Sequence, residues 1–163
     1  MSVAFQTPSA MPQVYAHRAL ILDDNDGNRM ILKFAMQMGG LPHEEAATGK
    51  AALAAWSPGK FAFAFLDIEL PDMNGLDVAW QLRERDSGLS IIMCSTNDDP
   101  ITISKAIDRG CDMFLVKPFQ LDILMKLVKD LDRVKLRKTP QILIIDNTAR
   151  TRWQARPVIL GTS

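Results

Sequence analysis

The chain has 163 residues, 47% hydrophobic and 23% charged, which suits one globular domain with short extensions and excludes global disorder. Its 19 basic and 19 acidic groups cancel, yet residues 1–132 carry 12 basic and 18 acidic side chains while residues 133–163 carry seven and one. An acidic body with a basic tail results. No uncharged apolar run reaches the roughly 18–20 residues that span a bilayer, so no membrane contact is expected.

Residues 1–17 hold Ser2, Pro8, Ser9 and Pro12 without periodicity and read as a flexible N-terminal arm. They also lack the basic and apolar stretches of a secretory signal, so a cytoplasmic location is expected. Ala19-Leu20-Ile21-Leu22 is a short apolar run that stops at Asp23-Asp24, the pattern of a buried parallel strand meeting a polar loop. Met30, Ile31, Phe34, Ala35 and Met38 recur at helical spacing and end at Gly39-Gly40. A weak strand over 44–47 and a short helix over 49–56, capped by Thr48, come next.

The run Phe61 to Leu66 stops at Asp67, and the loop Glu69 to Gly75 leads into a helix over about 75–86. Leu89 to Cys94 is a third strong strand, ending at Ser95-Thr96, with a helix over about 100–109 behind it. Met113 to Val116 is a fourth, ending at Lys117-Pro118, and Leu121, Leu124, Leu127, Val128 and Leu131 mark one face of a helix over about 120–137. Strands alternating with helices give an α/β fold: a doubly wound, five-stranded parallel sheet with helices on both faces.

Ligands of such sheets bind beyond the carboxyl ends of the strands. There the strand ends would bring together Asp23, Asp24, Asp67, Ser95 and Lys117. Carboxylates this close repel, and a bound cation relieves them; all-oxygen ligands suit Mg²⁺ or Mn²⁺. Cys94 and Cys111 lack metal-ligand spacing and read as small core residues. His17 and His43 stand alone, which removes zinc.

Four segments in order carry a family resemblance: the acid pair in Leu22-Asp23-Asp24, the stretch Phe65 to Gly75 around Asp67, the hydroxyl in Met93-Cys94-Ser95-Thr96, and Phe114 to Phe119 around Lys117. Over about residues 18–137 the chain resembles the receiver domain of bacterial two-component response regulators, with its flavodoxin-like, chemotaxis-regulator fold. The resemblance implies a phosphoprotein switch: Asp67 accepts a phosphoryl group from a sensor histidine kinase or phosphotransfer protein. It assigns Mg²⁺ to Asp24, Asp67 and the backbone carbonyl of Glu69, with Asp23 acting through water. Lys117 and Ser95 contact phosphoryl oxygens, and Phe114 matches the switch aromatic that turns inward as Ser95 moves toward the phosphate. Ser95 stands where the family most often has Thr, and a cis bond before Pro118 is a family trait.

The protein is then expected to assist its own phosphorylation and dephosphorylation rather than turn over a substrate. Its readout surface, for a downstream partner or a second copy, is expected at about 100–119. Two rival readings stand beside this one: a docking module that is never phosphorylated, and a phosphatase of the haloacid dehalogenase type. The latter wants a second Asp two residues after the nucleophile and then a Thr, where Asp67-Ile68-Glu69-Leu70-Pro71 offers Glu69 and no Thr.

A receiver domain over 18–138 leaves a basic extension, 139–163. Gln141 to Ile145 and Pro157 to Leu160 are apolar runs within it, read as an extra strand or as the start of a truncated second domain. Arg150, Arg152 and Arg156 around Trp153 are too few to signal nucleic-acid binding.

Overall fold

Each strong apolar run becomes a strand, and each lies in one sheet. The computed structural model describes residues 18–131, 141–146 and 150–155. The flexible arm assigned to residues 1–17 and the run Pro157 to Leu160 lie outside them. The strands are β1 (Ala19–Leu22), β2 (His43–Ala46), β3 (Phe63–Asp67), β4 (Ser90–Ser95), β5 (Met113–Val116), β6 (Gln141–Ile145) and β7 (Thr151–Ala155). The helices are α1 (Asp26–Met38), α2 (Gly49–Ala55), α3 (Gly75–Arg85), α4 (Pro100–Asp108) and α5 (Leu121–Leu131). The sheet runs β2-β1-β3-β4-β5-β6-β7, parallel throughout except for β7.

The doubly wound core matches the expectation; the sheet is wider than the five strands predicted. β6 pairs in parallel with β5, Met113 opposite Leu143 and Phe114 opposite Ile144, and β7 folds back along β6. Residues 141–145 are therefore an extra strand of the same sheet. One consequence concerns the segment 100–119: β5 is an interior strand, its outer edge covered by β6.

Period-two alternation divides the side chains between two cores. Leu20, Leu66, Met93 and Phe114 face α2, α3 and α4, with Ile103 and Ala106 among their neighbours. Ile21, Phe65, Cys94 and Leu115 face the other way, toward Leu32 and Met36 of α1 and Leu124 and Val128 of α5. The strand predicted from Phe61 begins two residues later, after Ala62 N–H has donated to Arg18 O at 2.9 Å.

Polar caps start the helices where the strands stop. Asn25 Oδ1 accepts from Asn28 N at 2.9 Å, Thr48 Oγ1 from Ala51 N at 3.1 Å, Asn74 Oδ1 from Leu76 N at 2.8 Å and Asp99 Oδ1 from Thr102 N at 2.7 Å. On the far side of the sheet, the buried Asp112 carboxylate accepts from Arg83 Nη2 at 2.7 Å and from Ile91 N at 2.9 Å. Arg83 also donates to Gly110 O and Leu89 O, tying α3 to the starts of β4 and β5. Arg83→Ala removes this guanidinium from the buried carboxylate and from the Gly110 and Leu89 carbonyls, and is expected to cost about 3 kcal/mol. A urea titration measures this, and a loss below about 1 kcal/mol would contradict it.

Candidate functional site

Burying parallel strands end to end leaves their last residues at one edge, and here those residues are polar. Asp23 follows β1, Asp67 and Ser95 are the last residues of β3 and β4, and Lys117 follows β5. Lys117 Nζ lies 2.7 Å from Asp23 Oδ2 and 3.1 Å from Asp67 Oδ2. All three of these side chains are buried, whereas Asp24 is exposed at the rim. One carboxylate oxygen from each of Asp23, Asp24 and Asp67 lies within 4.8 Å of the others.

The backbone fixes the pair of buried acids. Asp23 Oδ1 accepts from Asn25 N at 2.9 Å and Asp67 Oδ1 from Glu69 N at 3.3 Å. Arg29 Nη1 donates to Asp23 O at 2.6 Å, holding the β1–α1 loop. Ser95 Oγ accepts from Asn97 N at 3.0 Å, and Ser95 O accepts from Lys117 N at 2.8 Å, so the hydroxyl and the ammonium sit on adjacent strand ends. The Glu69 side chain is exposed in the β3–α3 loop and stands apart from the three grouped carboxylates. The Lys117-Pro118 peptide is cis. Phe114 is fully buried under α4.

Charge is unevenly matched here. Burial pushes the Asp67 carboxyl up to about 6, and the Asp23 charge adds to this against the opposing Lys117 ammonium and the Glu69 amide. Burial works to lower the Lys117 pKa, but the Asp23 and Asp67 carboxylates outweigh it and hold the ammonium above its ordinary value. The neighbouring Cys94 thiol is pushed up by burial and is inert.

The arrangement suits a hard divalent cation. Among the described residues, Asp23 Oδ2 is buried without a well-aligned hydrogen-bond donor, and Lys117 is its ion-pair neighbour. Three carboxylates gather at this edge, the Lys117 ammonium pairs with two of them, and the grouped donors contain no sulfur or imidazole.

The family model for the response regulator receiver domain matches residues 19–129. The chain belongs to this family. It is 32% identical over 114 residues to chemotaxis protein CheY of Bacillus subtilis, covering 69% of this chain and 95% of that protein. Against chemotaxis protein CheY of Thermotoga maritima the identity is 35% over 104 residues, covering 63% and 87%. A CheY-like receiver domain protein from Methanospirillum hungatei superposes with a TM-score of 0.65 at 29% identity, covering 71% of this chain and 94% of that one. Strands β6 and β7 fall outside the matched receiver residues. Among the described residues no helix is long and apolar enough to cross a membrane.

Two residues that shape the receiver site stand in the sequence only as parts of the loop and the helix start after Asp67. Asp72 reaches from the β3–α3 loop to α2, its carboxylate oxygens accepting from Gly49 N and Lys50 N at 2.9 Å each. Those amides hold its carboxyl below the ordinary range. Gly75 backs directly onto Asp67: a Cβ there would lie 1.8 Å from Asp67 O. Its N–H donates to Ile68 O at 2.7 Å. An aspartate and a glycine in the motif around the acid were visible; what each touches was not.

Proposed function

We propose that Asp67 is the phosphoacceptor of this receiver and that the acid cluster holds Mg²⁺. The observation that carries the reading is the pairing of one Lys117 ammonium with the buried carboxylates of Asp23 and Asp67 at 2.7 and 3.1 Å. Asp24, Asp67 and the Glu69 carbonyl are the direct metal ligands in this reading, with Asp23 acting through a water. Bound Mg²⁺ supplies charge neutralisation for the transferring phosphoryl oxygens. An Asp67 carboxylate oxygen attacks phosphorus, the P–N bond of a phosphohistidine donor breaks, and its electron pair stays on the imidazole. Lys117 exchanges part of its pairing with Asp67 for a phosphoryl oxygen, and the Ser95 hydroxyl donates to another. The product is an acyl phosphate, and the Ser95–Phe114 pair answers the added charge of about −1.5 to −2. The receiver then acts as a switch and not as a turnover enzyme.

The donor, a sensor histidine kinase or phosphotransfer protein, needs an approach to this edge. Beside it α1 and the start of α5 expose Met30, Phe34 and Leu121, which with Ile31 and Phe119 line an apolar hollow. Exposed apolar side chains grouped in this way favour a protein partner. The state is read out at the outer face of α4, where Ile101 is exposed, because β6 covers the β5 edge.

Borohydride reduction of the phosphorylated chain followed by peptide mapping tests the assignment. Reduction at position 67 is expected, and a label at any other residue would contradict it. Asp24→Ala is expected to raise the Mg²⁺ concentration for half-maximal phosphoryl uptake by about tenfold or more, since it removes one carboxylate from the cluster. An unchanged Mg²⁺ dependence would remove Asp24 from the ligand set.

A further inference from the structure

The β6–β7 hairpin lies outside the residues matched by the family, yet it is built into the core beneath the switch aromatic. Phe114 of β5 has Met93 of β4 on one side and Ile144 of β6 on the other, a row continued by Arg152 of β7. Phe114 and Ile144 are 0% and 1% exposed and share one buried cluster with Ile142, Ile103 and Ala106. The outer side of Phe114, which a free β5 edge would open to solvent, is thus filled by an apolar side chain from the extension. Arg152, at the far end of the same row, is exposed.

We infer that Ile144 is a positioning residue for the phosphorylation switch: the docked hairpin holds Phe114 inward, and phosphorylation in turn tightens the hairpin. The inference rests on the reading of Asp67, Ser95 and Phe114 given above. Its physical basis is volume. Interiors are close-packed, so a ring cannot move outward past Ile144 unless β6 moves as well. A ligand that favours the inward ring therefore favours the docked hairpin, and linkage makes the effect reciprocal. By the same argument the hairpin biases the unphosphorylated receiver toward the arrangement in which Ser95 meets the phosphate.

Beryllofluoride with Mg²⁺, a phosphoryl mimic, tests this on the full chain. In wild type, amide hydrogen exchange over 141–146 and 150–155 is expected to slow by about threefold or more when beryllofluoride binds. Ile144→Ala is expected to bind beryllofluoride about fivefold more weakly. Ile144→Val, which keeps a branched apolar side chain against Phe114, is expected to restore most of the affinity. Hairpin exchange unchanged by beryllofluoride in wild type, where folding is not in question, would overturn the inference. So would wild-type affinity in a folded Ile144→Ala chain. Failure of wild type to bind beryllofluoride would instead overturn the phosphoacceptor reading, and this inference with it.

Discussion

Asp67→Asn is expected to stabilise the Mg²⁺-free protein at pH 7 by roughly 2–3 kcal/mol, the equivalent of the carboxyl's rise from 3.8 to about 6. A raised carboxyl pKa means that the native state holds its proton more tightly than the unfolded chain does. Well below pH 3.8 both states are protonated and the two proteins should approach equal stability. Between about pH 4 and 6 the unfolded chain ionises first, so wild type loses stability as pH rises; above 6 the loss is complete and constant. Asparagine keeps an oxygen for the Glu69 amide and for Lys117 but carries no charge to bury. Urea titrations of both proteins in the presence of a chelator, from pH 4 to 7.5, measure the difference. A gap that is absent at pH 7, or that widens toward acid, would contradict the electrostatic account. Adding Mg²⁺ should stabilise wild type more than Asp67→Asn, because the cation answers the same buried charge.

Gly75→Ala has the second large expected effect, and it acts through backbone alone. The added Cβ would meet Asp67 O at 1.8 Å and Asp67 C at 2.7 Å, so no flexible side chain can make room. Alanine gains about 0.5–1 kcal/mol over glycine within a helix. The clash outweighs this: overpacking against fixed atoms costs about 3 kcal/mol or more. Either the first turn of α3 or the end of β3 must move, and the latter displaces the Asp67 carboxylate itself. A fall in melting temperature of roughly 6–12 °C is expected. Phosphoryl uptake should fall by about 10²-fold in the chain that still folds. Wild-type uptake with wild-type melting would show that the β3–α3 approach is looser than the structure has it.

What the sequence disclosed followed from local pattern. Ala19–Leu22 and Met113–Val116 are buried on both faces, so each reads as an unbroken apolar run whose polar successor marks the site edge. Asp23, Asp67, Ser95 and Lys117 could be named in advance for that reason. β2 was faint because it is an edge strand that carries Glu44 and Glu45 toward solvent and the cations Arg18, Lys33 and Lys60. β7 escaped altogether: Thr151, Arg152 and Trp153 are all exposed, and with one apolar side chain among them they make no run. β6 was visible as a strand, but its parallel partner was not, because pairing with β5 across α5 is a non-local choice. The same distance hid the cap that Asp72 places on α2, 22 and 23 residues away, and the Arg83–Asp112 pair, 29 residues apart. Gly75 was legible as a residue and illegible as a constraint, since its neighbour is the carbonyl behind the proposed phosphoacceptor.

The most direct test of phosphoryl transfer to Asp67 is the intact mass of the chain after incubation with acetyl phosphate. Wild type with Mg²⁺ is expected to gain the mass of one phosphoryl group, and to gain none when Mg²⁺ is removed. Asp67→Asn, folded and more stable at neutral pH, is expected to gain none under either condition. A phosphoryl group carried equally by Asp67→Asn, or no adduct on folded wild type with Mg²⁺ present, would contradict the account.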